Sequence, residues 1–157
     1  MTLRPSRNIE WSLYLFISEN LTSDWNNVKV VKGFKDAYKT TLPVIAIRLG
    51  DTNYESVEIG SDDYRREASF YIDIFAKNDG QKLDLKDYII DLLKGGCPYY
   101  EMDTAVDNSL KTETGRIKIK DIRDTNIKFD VDKSNIVDVH DRYRSQINFK
   151  VSIGKVE

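Results

Sequence analysis

The sequence predicts an α+β fold: an antiparallel sheet packed on one face by two helices, in a single domain over residues 1–157. Three observations carry this reading. Arg66 to Lys77 puts Ala68, Phe70, Ile72, Ile74 and Ala76 on one side and Ser69, Tyr71, Asp73, Phe75 and Lys77 on the other. Tyr143 to Ile153 alternates in the same way, and strict alternation over such lengths marks half-exposed antiparallel strands. Between them Leu85, Tyr88, Ile89 and Leu92 recur at i, i+3, i+4 and i+7, the period of a helix with one buried side. A further helical period opens the chain. Runs of strands interrupted by isolated helices build layers rather than a repeating β-α-β unit.

The first helix is read from Pro5, whose missing N–H is harmless in a first turn, to Leu21. Ile9, Leu13, Phe16 and Ile17 form one stripe at i, i+4, i+7 and i+8. Trp11 and Leu15 lie roughly 160–240° round from Ile9, at about 100° per residue. A surface helix needs only one apolar stripe. A second stripe carrying Trp implies another surface, either a further layer of the domain or another subunit.

Val28 to Val31 then reads as a short strand ended by Gly33. Leu42-Pro43 opens a strand from Val44 to Leu49, with Ile45, Ile47 and Leu49 on one face and Val44, Ala46 and Arg48 on the other. Gly50 to Asn53 is turn chemistry, and Tyr54 to Ile59 reads as the return strand. Gly60 to Asp63 turns the chain into the strand at Arg66. Asn78-Asp79-Gly80 introduces the second helix, Gly95-Gly96 ends it, and Pro98 bars its continuation. Pro98 to Thr114 lacks a period and reads as irregular structure. The last strands hold Ile117 and Ile119, then Ile127, Phe129 and Val131, then Tyr143 to Ile153.

A chain of 157 residues can bury a substantial core. Hydrophobic residues at 40% and charged residues at 32% fit a soluble globular protein. No apolar run approaches the ~20 residues of a membrane span, and the opening helix carries Glu10, Ser12 and Ser18, unlike a secretory segment. The single cysteine, Cys97, excludes an intramolecular disulfide and a Cys-rich zinc site, and fits a reducing cytoplasm. The sequon Asn20-Leu21-Thr22 is then read as chance. The net charge is −2 with both signs interspersed, which argues against specific DNA or RNA binding.

Chemistry has little to work with. Asp130, Asp132 and Ser134 occupy positions 1, 3 and 5 of an EF-hand-like loop, but Asn135 replaces the required Gly and Asp141 the bidentate Glu. His140, between Asp138 and Asp141, has no second nitrogen or thiolate ligand nearby and reads as a surface residue. Cys97 follows a helix C-terminus, which does not activate a thiol. Asp62-Asp63 and Asp121/Asp124 fall in predicted turns, where Asp is favoured for its own hydrogen bonds. No catalytic, cofactor-binding or metal-ligating residue is therefore expected.

Tyr64-Arg65-Arg66 and Arg142-Tyr143-Arg144 say more, because Tyr and Arg are enriched where surfaces meet partners. The competing expectation is cross-strand pairing with Asp and Glu inside one sheet. Tyr71 and Phe75, on the polar side of their strand, favour contact with something else. With Trp11 and Leu15 they complete the candidate interface.

The helix from Ile9 to Leu21, the strand Ala68–Lys77 followed by the helix Leu83–Lys94, and the closing stretch Asp141 to Val151 resemble the tail terminator (tail completion) proteins of long-tailed bacteriophages in order and length. That resemblance implies a virion protein, assembled in the host cytoplasm, forming a ring homo-oligomer, a hexamer, at the head-proximal end of the tail tube. It implies the tube protein and the head connector or head-closure protein as partners, and DNA passing through the lumen without sequence reading. Another neck or tube protein fits the same features, and a small ligand- or metal-binding domain or a peptide-binding adaptor are the other classes. A closed ring requires a heterologous, head-to-tail interface.

Overall fold

A computed structural model describes residues 5–25, 27–56, 64–102, 111–127 and 143–155. In chain order the elements are α1 (Pro5–Asp24), β1 (Lys29–Lys32), α2 (Phe34–Lys39), β2 (Val44–Ser56), β3 (Tyr64–Phe75), α3 (Asp79–Leu93), β4 (Cys97–Met102), β5 (Lys111–Ile127) and β6 (Arg144–Lys155). The fold class is α+β, with all six strands in one sheet ordered β1-β2-β3-β6-β5-β4.

The sheet is mixed rather than wholly antiparallel. β1 pairs parallel to β2, Lys29 opposite Val44 through Lys32 opposite Ile47, while every other pair is antiparallel. Parallel neighbours need a crossover, usually helical, and α2 supplies it. Six residues are too few to display a helical period, so the sequence reading passes over α2.

Register explains the core. Ile45 faces Ile74, Ile47 faces Ile72, Ile72 faces Ile147 and Phe70 faces Phe149, so one side of the sheet is continuously apolar. Phe70 and Phe149 stack with centroids 5.8 Å apart. The main core joins this side to Ile9, Leu13, Ile17 and Leu21 of α1 and to Leu85, Ile89 and Leu93 of α3. Phe16, expected in the stripe, is only partly buried at its margin. A smaller core of Ala37, Val44, Ala46 and Phe75 lies on the opposite side of the sheet, with α2 contributing Ala37. Helical residues thus meet both sides of the sheet, beyond the two-helix layer expected.

Three further differences have local causes. β2 runs on through Gly50 to Ser56 instead of reversing, because the irregularity between Leu49 and Thr52 is a shift of register within the strand. A Cβ at Gly50 would strike the Tyr71 ring on the neighbouring strand. Residues 98–102, in β4, and 111–114, in β5, are strand where irregular structure is expected; Tyr99 and Tyr100 suit a pleated surface, and Pro98 is tolerated in an edge strand. Residues 103–110, in the same expectation, lie outside the described residues. The Gly115–Ile127 region belongs to one long strand, β5, whose register shifts between Lys120 and Arg123, where Asp121 takes a φ of 55°.

α3 is held at both ends. Asn78 accepts the Gln81 N–H at 2.8 Å, and the Gln81 side chain accepts the Lys77 N–H at 2.9 Å, a capping exchange displaced by one residue. Gly96, with a φ of 72°, ends the helix by donating to the Leu93 carbonyl at 3.0 Å. No helix among the described residues is long and apolar enough to cross a membrane.

Candidate functional site

Helix geometry makes α1 a bridge. With Ile9 and Leu13 aimed at the core, positions 8/12 and 10/14 fall about 100° to either side. On one flank Asn8 donates to the Tyr99 hydroxyl at 3.3 Å, and Ser12 Oγ accepts the Tyr100 N–H at 2.9 Å. On the other flank Tyr14 donates to the Val30 carbonyl at 3.4 Å, and Glu10 pairs with Lys32 at 3.1 Å. The first flank contacts β4 and the second β1, the two edge strands of the sheet. One helix thereby satisfies backbone groups on both edges.

Beside the Tyr14 flank opens a cleft of about 480 Å³, lined by Trp11 and Tyr14, by Val30 and Lys32 of β1, and by Asp36 and Lys39 of α2. Trp11 stands edge-on to Tyr14, centroids 5.5 Å apart, and the Lys32 ammonium sits 3.5 Å from the Trp11 ring centre. Such a cation is held by the face of the indole π-system. Trp11 and Leu15 are half-buried and belong to neither core. The second stripe of α1 therefore meets β1 through Trp11, and its Leu15 is half-buried outside both cores.

The polar side of the sheet has two ends. At the α2 end Asp73, fully buried, receives Arg48 Nε at 3.4 Å, Arg144 Nη2 at 3.0 Å and Gln146 Nε2 at 3.1 Å. A buried carboxylate requires such company, because desolvation penalises an unpaired charge heavily. The Arg48 guanidinium also lies 4.6 Å from the Tyr71 ring centre. At the far end Glu67 is bound by Lys120 at 2.6 Å and Lys150 at 3.6 Å. The Lys120 hydrogen bond, first among several causes, holds the Glu67 carboxyl below its usual pKa.

These contacts redistribute the expected interface. Phe75, expected on an open polar surface, is fully buried in the smaller core, with Tyr38 edge-on at 5.5 Å and the Arg144 guanidinium 5.1 Å away. The reason is α2, absent from the sequence reading, which roofs that end. Arg144 is an intrachain partner of Asp73, as the cross-strand alternative expects. Tyr143 is 37% exposed. The backbones of Tyr64, Arg65 and Arg66 open β3 opposite Ser56, Glu55 and Tyr54, but their side chains lie outside the described residues, as does Arg142. Asp73 itself escapes the sequence reading; its signal was a carboxylate in mid-strand with arginines in two other strands.

The chemical candidates do not converge. Cys97 is buried, and desolvation pushes its thiol up to about 12 despite the opposing charge of Arg116, so it is no nucleophile. Asp121 lies 4.0 Å from Lys150 while Asp124 pairs with Lys86 at 3.4 Å. Asp62-Asp63, the Asp130–Ser134 stretch, and His140 with Asp138 and Asp141 lie outside the described residues. Among the described residues no group of His, Cys, Asp or Glu side chains is placed to hold a metal ion.

No protein-family model matches the chain, and no curated protein matches it. The arrangement offers aromatic rings, a cleft and a charged sheet face: means of contact with another surface.

Proposed function

We propose that the chain is a ring-forming structural subunit of a phage tail or neck, of the tail terminator kind. In this reading it caps the tail tube, stops its polymerisation and joins it to the head connector. The observation that supports the reading most is the outer flank of α1, where Trp11 and Leu15 stand outside both cores and Trp11 lines an open cleft. Trp is among the side chains most enriched at the energetic centres of protein interfaces. The mixed charge suits a ring that lets DNA pass without gripping its phosphates.

The test is the mass of the purified protein by light scattering, with negative-stain images of the same peak. Rings, or monomers that form rings on exposed tube ends, support the proposal. Long self-polymerised tubes would indicate a tube subunit instead. A strict monomer that ignores tube ends and gains thermal stability from a metal or small molecule would replace it with a binding domain.

A further inference from the structure

The two outer surfaces of the molecule carry opposite charge. On the polar side of the sheet, register groups Arg48, Arg144, Lys150, Arg116, Lys118, Lys120 and Arg123 with the fewer carboxylates Glu67, Asp73, Glu113 and Asp121. This cationic excess occurs in a chain whose net charge is −2, so the remainder of the chain is correspondingly acidic. Lys118 and Arg123 are exposed and meet no carboxylate among the described residues.

The acidic counterpart lies on α3. Leu85, Ile89 and Leu93 turn that helix toward the core on the other side of the sheet. At about 100° per residue, Asp84, Asp87 and Asp91 fall roughly opposite them. All three are exposed, and Leu83, 37% exposed, stands on the same ridge. Asp87 approaches Lys86 at 3.9 Å; Asp84 and Asp91 meet no cation among the described residues. Lys94 closes the ridge at its C-terminal end.

We infer that the cationic sheet face docks a second copy of this chain through the acidic α3 ridge, in a head-to-tail contact. The inference rests on the ring reading and assigns the two unlike faces which that reading requires. Charge complementarity selects the occupant. Glu67 and Asp73 interrupt the cationic face, so it suits a mixed-charge protein surface that begins at Leu83 better than an unbroken row of phosphates. A head-to-tail contact repeats from copy to copy, and a fixed rotation at each step closes it into a ring.

Equal amounts of unlabelled and ¹⁵N-labelled protein, treated with a zero-length carboxyl–amine cross-linker, read the contact directly. Mixed-isotope cross-links joining Asp84, Asp87 or Asp91 to Lys118, Lys120 or Lys150 are expected. The triple variant Asp84→Lys/Asp87→Lys/Asp91→Lys and the double variant Lys118→Glu/Arg123→Glu each weaken self-association on the order of tenfold or more, and mixing the two restores it. Circular dichroism of each variant separates this from misfolding, since all five side chains are exposed. Rings that persist in both variants, with no such cross-links, would keep the ring and overturn this pair of faces. A wild-type monomer at every concentration that also forms no rings on exposed tube ends would remove the ring reading and the inference with it. A monomer that binds duplex DNA through Lys118 and Arg123, with salt-sensitive affinity, would replace the second copy with a polyanion.

Discussion

The two sides of the same strands are built on different principles. On the covered side, shape decides: Phe70 stacks on Phe149, Ile72 meets Ile147, and α1 and α3 contribute their apolar stripes. On the polar side, pairing decides: Asp73 and Glu67 each gather cations from neighbouring strands. An apolar layer tolerates imprecise neighbours, whereas a buried charge fails if one partner is removed. The covered side therefore specifies how much of the chain folds, and the polar side specifies which strands lie next to which. Arg48, Asp73 and Arg144 tie β2, β3 and β6 into one register.

The sharpest way to break that contrast is Phe70→Ala, which should cost about 4 kcal/mol, read as a lowered denaturant midpoint. A loss under about 1 kcal/mol would mean that the stack with Phe149 does not anchor the core. Asp73→Ala comes next, at about 3 kcal/mol, because Arg144 keeps its charge in a site only 13% exposed. If Asp73→Ala left the melting temperature unchanged, the polar side would be ornamental.

Ser12→Ala tests the junction between the sides. It leaves the Tyr100 N–H without its acceptor and should cost about 1–2 kcal/mol. Faster amide exchange at Tyr100 than at Ile117 would locate that loss at the β4 edge. Trp11→Glu should move stability by no more than about 1 kcal/mol, since the ring belongs to neither core, while abolishing assembly on the tail tube. Unfolding of that variant would assign Trp11 to the interior.

The smallest effects are those of pH. The Glu67 carboxyl is held low, so its contribution is present above the unfolded value near 4.5 and fades as pH falls through the lower folded value. The Cys97 thiol is raised, so its contribution is intact below the unfolded value near 9 and is lost as pH climbs toward about 12. Alkylation of Cys97 at pH 8 should be slow in the native protein and fast in denaturant. Rapid native labelling would contradict its burial.

What the sequence made legible was whatever repeats. β3, β6 and α3 are long enough for their periods to show, and their faces follow from alternation alone. α2 is six residues long and β4 opens on a proline, so neither has a period to read. The parallel β1–β2 pair and the insertion of β6 between β3 and β5 depend on contacts across the chain that no local pattern encodes. The Trp11 and Leu15 stripe was visible; that Lys32 covers one side of Trp11 was not, because that lysine arrives from another element. Phe75 was assigned by parity to the polar side correctly, yet parity does not reveal what roofs a face.

The helix that bridges both sheet edges also sets an order of events. α1 reaches β4 through Tyr99 and Tyr100, which lie 91 and 88 positions along the chain from Asn8 and Ser12. Contacts so distant in sequence form slowly, because a long loop must close before they give any stabilisation. The Tyr14 flank, only 16 positions from Val30, can therefore form well before the β4 flank. The β4 edge is thus among the last parts to close, and a chain cut before β4 should leave the Asn8 and Ser12 flank of α1 without these partners.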